Sequence, residues 1–574
     1  MKQHLFFPIA VLFSLLTGCS APDNLDRIPP EVRVNEPEND EVGAPISITV
    51  TATDNVSVTS VSLYVDEVFL EKKASPPYTF YWYSDYWGDG RSHRITATAL
   101  DPSSNVGLSP AISVDVMKTT KPQVKLVSPQ HHAIMGDSLI TLKWLPIENT
   151  LSYTVQVSDT NSMDFLIIDA KTTSNEMTVN LPQEKTYVWR VLPATVGNIF
   201  GGWSKEYVFH RTQQFTAIFG RKKFDALSAI AATADGGLIL AGSTHSLERG
   251  GMLIKTTPTG IKQWERIFGG YDMSWFTCVI QTMDGGYFAA GQNTSKEFPS
   301  DQWFVKTDSA GTIEWSKTIL QEGAQGVNSV LQTKDSGYVV CGFRETDSDR
   351  VDIVLRKYDA SFELIWERTI GGKFHDEAFQ IAATADGGLI VSGFTQGSTD
   401  LSEEYAVALR LNFLGEEKWR REIAAPGGAR FVSGMQHKGK YYFCGFVRNE
   451  DQQRDALVAA YDSIGNVLWT KTFGTNRDDA ATGLTFVNDR IAVCGYRSTD
   501  TLGIQDAWLL LLGENGSEIA SKTYGGRNLD GATSIINFHD GLAIVGSTTS
   551  FSAGSSDGFL ILIDADGNVK HNAP

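Results

Sequence analysis

The sequence predicts an all-β protein, with two β-sandwich domains followed by a seven-bladed β-propeller. Three observations lead there. The 574 residues are too many for one core, so several domains are expected. Short apolar–polar alternations, punctuated by Gly, Asn, Asp and Pro, run through the whole chain. From about residue 215 a block of roughly fifty residues recurs.

The first 19 residues read as an export signal. Lys2 precedes an apolar run from Leu5 to Leu16, too short to span a bilayer and suited to a signal-peptide core. The run ends Leu16-Thr17-Gly18-Cys19, which resembles the bacterial lipobox. That resemblance implies cleavage before Cys19 and acylation of its thiol and new amino group. Residues 20–30 then form a linker. The acyl chains are the only expected membrane attachment, and Ser20 after the cysteine is compatible with sorting to the outer membrane.

Residues 31–118 contain alternating strands: Ile46, Ile48 and Val50; Val61, Leu63 and Val65; Ile95, Ala97 and Ala99; Ile112, Val114 and Val116. Asp54-Asn55 and Asp101-Pro102 mark turns between them. The phrases TATDNVSVTSVSLYVDE and TATALDPSSNVG resemble bacterial Ig-like domains, which implies a spacer sandwich. Tyr81, Trp82, Tyr83, Tyr86 and Trp87 cluster nearby, and core packing is expected ahead of a carbohydrate platform.

Residues 121–212 predict a second sandwich. Leu142 and Trp144 share a strand, Tyr153, Val155 and Val157 the next, and Tyr187, Trp189 and Val191 a later one. The early Trp, YTVQVS and LPQEKTYVWRV resemble a fibronectin type III domain, and Leu181 to Tyr187 resembles its tyrosine corner. Residues 118–122 and 210–214 are expected to be linkers.

The third region spans residues 213–574. Its first marker is Gly242, Gly291, Gly342, Gly393, Gly445, Gly495 and Gly546, at spacings of 49, 51, 51, 52, 50 and 51. Its second is Trp264, Trp315, Trp366, Trp419 and Trp469, with Ala520 and His571 in the last two slots. Asp225, Asp376, Asp479 and Asp530 form a third, replaced by Ser274 in the second repeat. Each repeat reads as four short strands with Asp-Gly-Gly chemistry between the first two, the size of a propeller blade. Closure is expected when residues 213–218 supply the outer strand of the seventh blade, with 568–573 as the competing segment. The repeated Trp is expected on the outer strand, packed between blades. These repeats resemble those of exported bacterial propellers. KTDSAGTIEW and AYDSIGNVLW also resemble the tryptophan-docking repeats of quinoprotein-like propellers and of an outer-membrane assembly lipoprotein, families that usually have eight blades.

Composition narrows the function. The net charge of −18 repels a phosphate backbone and argues against nucleic acid. Cys341, Cys444 and Cys494 each precede an aligned glycine, and with Cys278 they are expected to be small core residues, since equivalent blade positions are too far apart for disulfides. No CxxC, HExxH or sialidase-type Asp-box occurs, so no metal, cofactor or catalytic residue is expected. Asp564-Ala565-Asp566-Gly567-Asn568 lacks the downstream Glu of a calcium loop and reads as a hairpin. His245, His375, His437 and His539 fall in turns or strand ends.

Binding residues are sought in the irregular loops, with Phe298, Tyr405, Arg430 and His437 as candidates and the fifth repeat (423–442) the most divergent. The expected function is that of a monomeric, non-catalytic binding or scaffold lipoprotein of the cell envelope. Its propeller would recognise an envelope or extracellular protein or polysaccharide. The competing expectations are a glycan-cleaving hydrolase or lyase and a part of an envelope assembly complex.

Overall fold

The structure is a computed structural model. It describes residues 26–37, 46–160, 163–221, 223–245, 249–269, 274–294, 300–347, 350–399, 403–499 and 504–570. Cys19 and Phe298 lie outside the described residues, as does His571. The described chain is all-β, with two single-turn 3₁₀ segments and no α-helix.

The first domain stacks two sheets. One holds strands Glu31–Val34, Ile46–Thr53 and Tyr78–Trp82; the other holds five strands between Ser60 and Asp115. Alternation puts Ile48, Val50, Val61, Leu63, Val65, Ile95 and Ala97 on the facing sides, where they form one core. Trp82, Tyr86 and Trp87 belong to that core, whereas Tyr81 is exposed, so the aromatic cluster is mostly packing. The Tyr86 hydroxyl meets Thr150 Oγ1 at 2.7 Å and ties this domain to the next.

The second domain pairs a three-stranded with a five-stranded sheet. Trp144 and Trp189 meet across its core, ring centroids 6.5 Å apart. Tyr187 donates its hydroxyl to Gln183 O at 2.8 Å, the tether that a tyrosine corner requires. The 210–214 boundary is corrected in part. His210 and Arg211 end a strand, Tyr207–Arg211, and His210 is fully buried, because it pairs in parallel with the strand Ala133–Met135.

Seven four-stranded antiparallel sheets follow. Their inner strands begin at Asp225, Ser274, Gln325, Asp376, Ala429, Ala480 and Asp530. Each inner strand packs on the next, and that of the seventh sheet packs on that of the first, so the series returns to its start. The seventh sheet is completed from the other end of the region. Ala217–Phe219 pairs antiparallel with Gly558–Leu560, and Phe215 stacks on Phe559 at 4.7 Å. Val569 adds one isolated bridge to Ile563, so both candidate segments touch this strand.

The recurring glycine has a specific cause. Each inner strand carries a β-bulge, after Leu227, Phe276, Val327, Ala378, Phe431, Ala481 and Ala532. The bulge drives an inner-strand carbonyl over the aligned glycine. A Cβ on Gly342 would lie 2.0 Å from Gly326 O, one on Gly445 2.0 Å from Arg430 O, and one on Gly495 1.8 Å from Ala480 O. Only a residue without a side chain fits there.

The recurring Trp docks onto the neighbouring sheet. Trp264, Trp366, Trp419 and Trp469 lie against Gly311, Gly415, Gly465 and Gly516, the left-handed turn glycines before the next outer strand. In the third sheet that turn position is Phe362, and Trp315 packs on its ring instead.

Candidate functional site

Three layers of the seven-sheet ring could carry function. The first is axial. The bulged residues Ser228, Thr277, Asn328, Phe379, Val432, Thr482 and Thr533 line a central cavity of about 540 Å³. Several reach the next sheet. Asn328 Nδ2 donates to Ala378 O at 2.8 Å, Thr482 Oγ1 to Ala532 O at 2.9 Å, and Thr533 Oγ1 to Leu227 O at 2.9 Å, the last joining the seventh sheet to the first. These side chains are spent on holding the ring together.

The second layer is acidic. Asp225, Asp376, Asp479 and Asp530 are buried, and each accepts the backbone N–H of the residue four positions earlier: Arg221, Gly372, Thr475 and Gly526. The structure sets a second carboxylate beside each one, from the start of the preceding sheet's third strand: Asp557, Asp352, Asp455 and Asp506. A glycine lies between each pair. A Cβ on Gly220 would fall 2.0 Å from Asp557 Oδ1, and one on Gly371 2.1 Å from Asp352 Oδ1. Burial raises the proton affinity of Asp225, Asp376, Asp455 and Asp530, and the facing carboxylate adds to the rise at Asp376 and Asp455. Asp557 is pushed up to about 7, by burial first and by Asp225 second. Sequence reasoning missed the second set, although Asp301, Asp352, Asp455, Asp506 and Asp557 recur in step with the repeats.

At the fourth boundary the pattern changes sign. Glu404 occupies the carboxylate position and receives both Arg430 Nε (2.8 Å) and Arg430 Nη2 (2.6 Å), with Arg448 Nη1 on the same carboxylate at 2.5 Å. Burial alone would raise Glu404, but the two guanidiniums outweigh it and hold its carboxyl low. Arg430 also covers the Phe394 ring at 3.9 Å. Arg430 is therefore occupied inside the ring.

The third layer is the Asp-Gly-Gly turns, which become Asp335-Ser336-Gly337 in the third sheet. Lys255, Lys306, Lys357 and Arg410 are buried cations on the third strands, and they meet Asp235, Asp284, Asp335 and Asp386 of these turns at 2.5–2.9 Å. The second glycine makes the space, since a Cβ on Gly237 would lie 2.5 Å from Lys255 Nζ. Hydrogen bonds from Thr233 and Lys255 hold Asp235 down to about 2 against its partial burial.

The sequence-derived binding residues do not form one site. Tyr405 sits beside Glu404, at the Arg430 end of the sheets, against Gly397. His437 ends the strand Ala429–His437, about 23 Å from Arg430 at the usual rise per strand residue. There it stacks on Phe486 at 3.8 Å and faces Asp489. The sequence offers no metal-ligating pattern, yet among the described residues the fold gathers side chains that could hold an ion. One ring nitrogen each of His132 and His210 and a carboxylate oxygen of Asp557 lie within 4.8 Å of one another. Burial strips the proton from both rings, to about 2 at His132 and about 3 at His210. No spacing in the sequence signals this group, because its members are far apart along the chain.

Residues 30–97, within the first sandwich, match the family model described as Bacterial Ig domain, and that sandwich is Ig-like. No curated protein matches the sequence. Among solved structures, two extracellular domains of putative hybrid two component systems from B. thetaiotaomicron are similar. One is 11% identical over 84% of this chain and 58% of that chain, with a TM-score of 0.38; the other is 10% identical over 88% and 69%, also at 0.38. This chain thus spans little more than half of the first of them. A GH43_1 enzyme from Xanthomonas citri complexed with xylotriose is 12% identical over 51% of this chain and 88% of that one, with a TM-score of 0.27.

Proposed function

We propose that the returning series of seven sheets is a seven-bladed propeller on an exported, Cys19-anchored envelope lipoprotein, and that this propeller binds a protein partner without catalysing a reaction. The two sandwiches space it from the membrane. The observation that carries this reading is an apolar rim. Leu364, Ile365, Phe413, Leu414, Ile464 and Leu468 are exposed on adjoining sheets, Phe413 and Ile464 each at 68%. The docked Trp366 and Trp419 link these sheets, so the exposed groups share one side of the ring. Five of these six side chains are aliphatic and neither stack on sugar rings nor bond hydroxyls, and an apolar surface of this kind suits a protein interface. The walled position of the raised carboxylates supports the non-catalytic part, since a general acid must reach its substrate.

The test is a pull-down from crosslinked, detergent-solubilised cells with the full lipoprotein as bait. A propeller-deleted form and a Phe413→Asp/Ile464→Asp variant serve as controls. The expected result is one stoichiometric partner, lost with both controls and rebound by the purified wild type alone. A partner retained by the variant overturns the rim assignment. Failure to recover any partner overturns the protein-binding reading and directs attention to polysaccharide binding and turnover.

A further inference from the structure

The junction between the second sandwich and the ring holds polar groups that packing alone leaves incomplete. Asp557 is 0% exposed at the start of the seventh sheet's third strand. Its Oδ2 accepts the Ala553 N–H at 2.8 Å, while its Oδ1 has no hydrogen-bond partner. A buried carboxylate oxygen left bare is costly, and either a proton or a bound cation relieves it. Asp225 faces it across the same boundary and adds a second carboxylate, while Lys262 acts on His132 and Arg221 lines the adjoining cleft.

The sandwich brings two imidazoles to this carboxylate, one ring nitrogen each and one carboxylate oxygen lying within 4.8 Å of one another. His132 precedes the strand Ala133–Met135, and His210 lies on the strand that pairs with it. His132 Nδ1 and His210 Nε2 are 3.2 Å apart. Zinc bonded to nitrogen at 2.0–2.1 Å in a tetrahedron separates its ligand atoms by about 3.3 Å. His210 Nδ1 meets Thr186 Oγ1 at 3.0 Å, which fixes the ring and leaves Nε2 facing His132. A cleft of about 440 Å³, lined by His131, His132, Arg221 and Ala553 among others, opens beside the group and gives an ion and a water their way in.

We infer that His132, His210 and Asp557 form a site for a zinc-like divalent transition ion, with water as fourth ligand, that clamps the second sandwich to the ring. Two neutral imidazoles and one carboxylate are the donor set such an ion prefers over calcium or magnesium. Two ligands come from one domain and the third from the other, so binding stabilises their junction by the free energy of the third bond. The site is independent of the partner-binding reading, which concerns the exposed rim.

The experiment uses the untagged full chain, stripped with chelator and titrated with Zn²⁺ against a chromophoric competitor. One equivalent is expected to bind, at least tenfold more weakly in His132→Ala and in Asp557→Asn. Co²⁺ in its place is expected to give the intense visible bands of a tetrahedral nitrogen–oxygen site. No stoichiometric binding to the wild type overturns the inference, as does affinity unchanged in both variants or the weak spectrum of an octahedral ion. Should Asp557→Asn fail to fold, the His132→Ala titration and the cobalt spectrum still decide.

Discussion

Trp315 packs its indole 4.9 Å, centroid to centroid, from the ring of Phe362, which occupies the left-handed turn position held by glycine in the other six sheets. Phe362 has φ of 61° and also stacks on Tyr358 at 4.2 Å. The strain of a left-handed phenylalanine, about 1–2 kcal/mol, is offset by the aromatic cluster it completes. Phe362→Gly should remove both. Because loss of a buried Phe costs about 3–5 kcal/mol, the net change expected is a destabilisation of about 2–3 kcal/mol. Trp315→Ala should destabilise by about 3 kcal/mol, again with no binding group touched. Denaturant melts of both variants check this; an unchanged midpoint for Trp315→Ala would refute the docking role.

A methyl group at the bulge should be tolerated even less. Gly342→Ala puts a Cβ where the Gly326 carbonyl oxygen lies, and both partners are backbone. The expected loss is about 3 kcal/mol or more, with a lowered melting temperature and a shallower denaturant slope if the third sheet frays first. Alanine at the fully open Gly439, where no atom approaches a Cβ, serves as the comparison; its φ of 78° confines that effect to local backbone strain.

The buried cations should be replaceable as pairs. Asp284→Asn leaves Lys306 buried with Glu314 and the Thr307 carbonyl as its remaining partners, and the protein should melt lower. Adding Lys306→Met should recover most of the loss, since the fifth, sixth and seventh sheets carry Ala460, Leu511 and Leu562 at this position. A double variant as unstable as Asp284→Asn alone would refute this account.

These clamps also set the acid limit. Asp235, Asp284 and Asp335 are held down to about 2 in the fold, below the usual carboxylate value near 4. A lowered folded-state value means the unfolded chain binds more protons, so stability rises with pH through that window. The contribution is present above pH 4 and is lost as pH falls from about 4 through 2. Melting temperatures at pH 5, 4, 3 and 2 should fall progressively, and the triple Asp→Asn variant should show a flatter profile.

Cys278, Cys341, Cys444 and Cys494 are buried and unpaired as disulfides. Burial pushes the thiols of Cys278 and Cys494 up to about 12 and those of Cys341 and Cys444 upward as well. In the native protein a thiol reagent at pH 8 should modify none of the four, and after unfolding it should modify all four. Rapid labelling of any one in the folded state would contradict its core placement.

Legibility followed repetition. The glycine, tryptophan and aspartate series stand in phase with the sheets because each sheet solves the same packing problem with the same residue. The second carboxylate series has the same period, but Gly250 and Glu404 interrupt it and mask it in the sequence. The candidate binding residues fared worse. Arg430 and His437 lie in one divergent stretch of sequence, yet a strand in extended conformation carries its two ends to opposite sides of the ring.

What the amino-acid order determined alone was the all-β character, the three-region division and the seven-fold phase, since strand alternation, turn chemistry and repeat spacing are local properties of the chain. Only the tertiary structure decided which atoms meet across the repeats. It placed Trp315 on Phe362, Asp557 beside Asp225, and His132 and His210 within reach of Asp557. Those contacts join residues up to several hundred positions apart, and packing between neighbouring sheets, between the seventh sheet and the first, and between the second sandwich and the ring, rather than any local preference, brings them together.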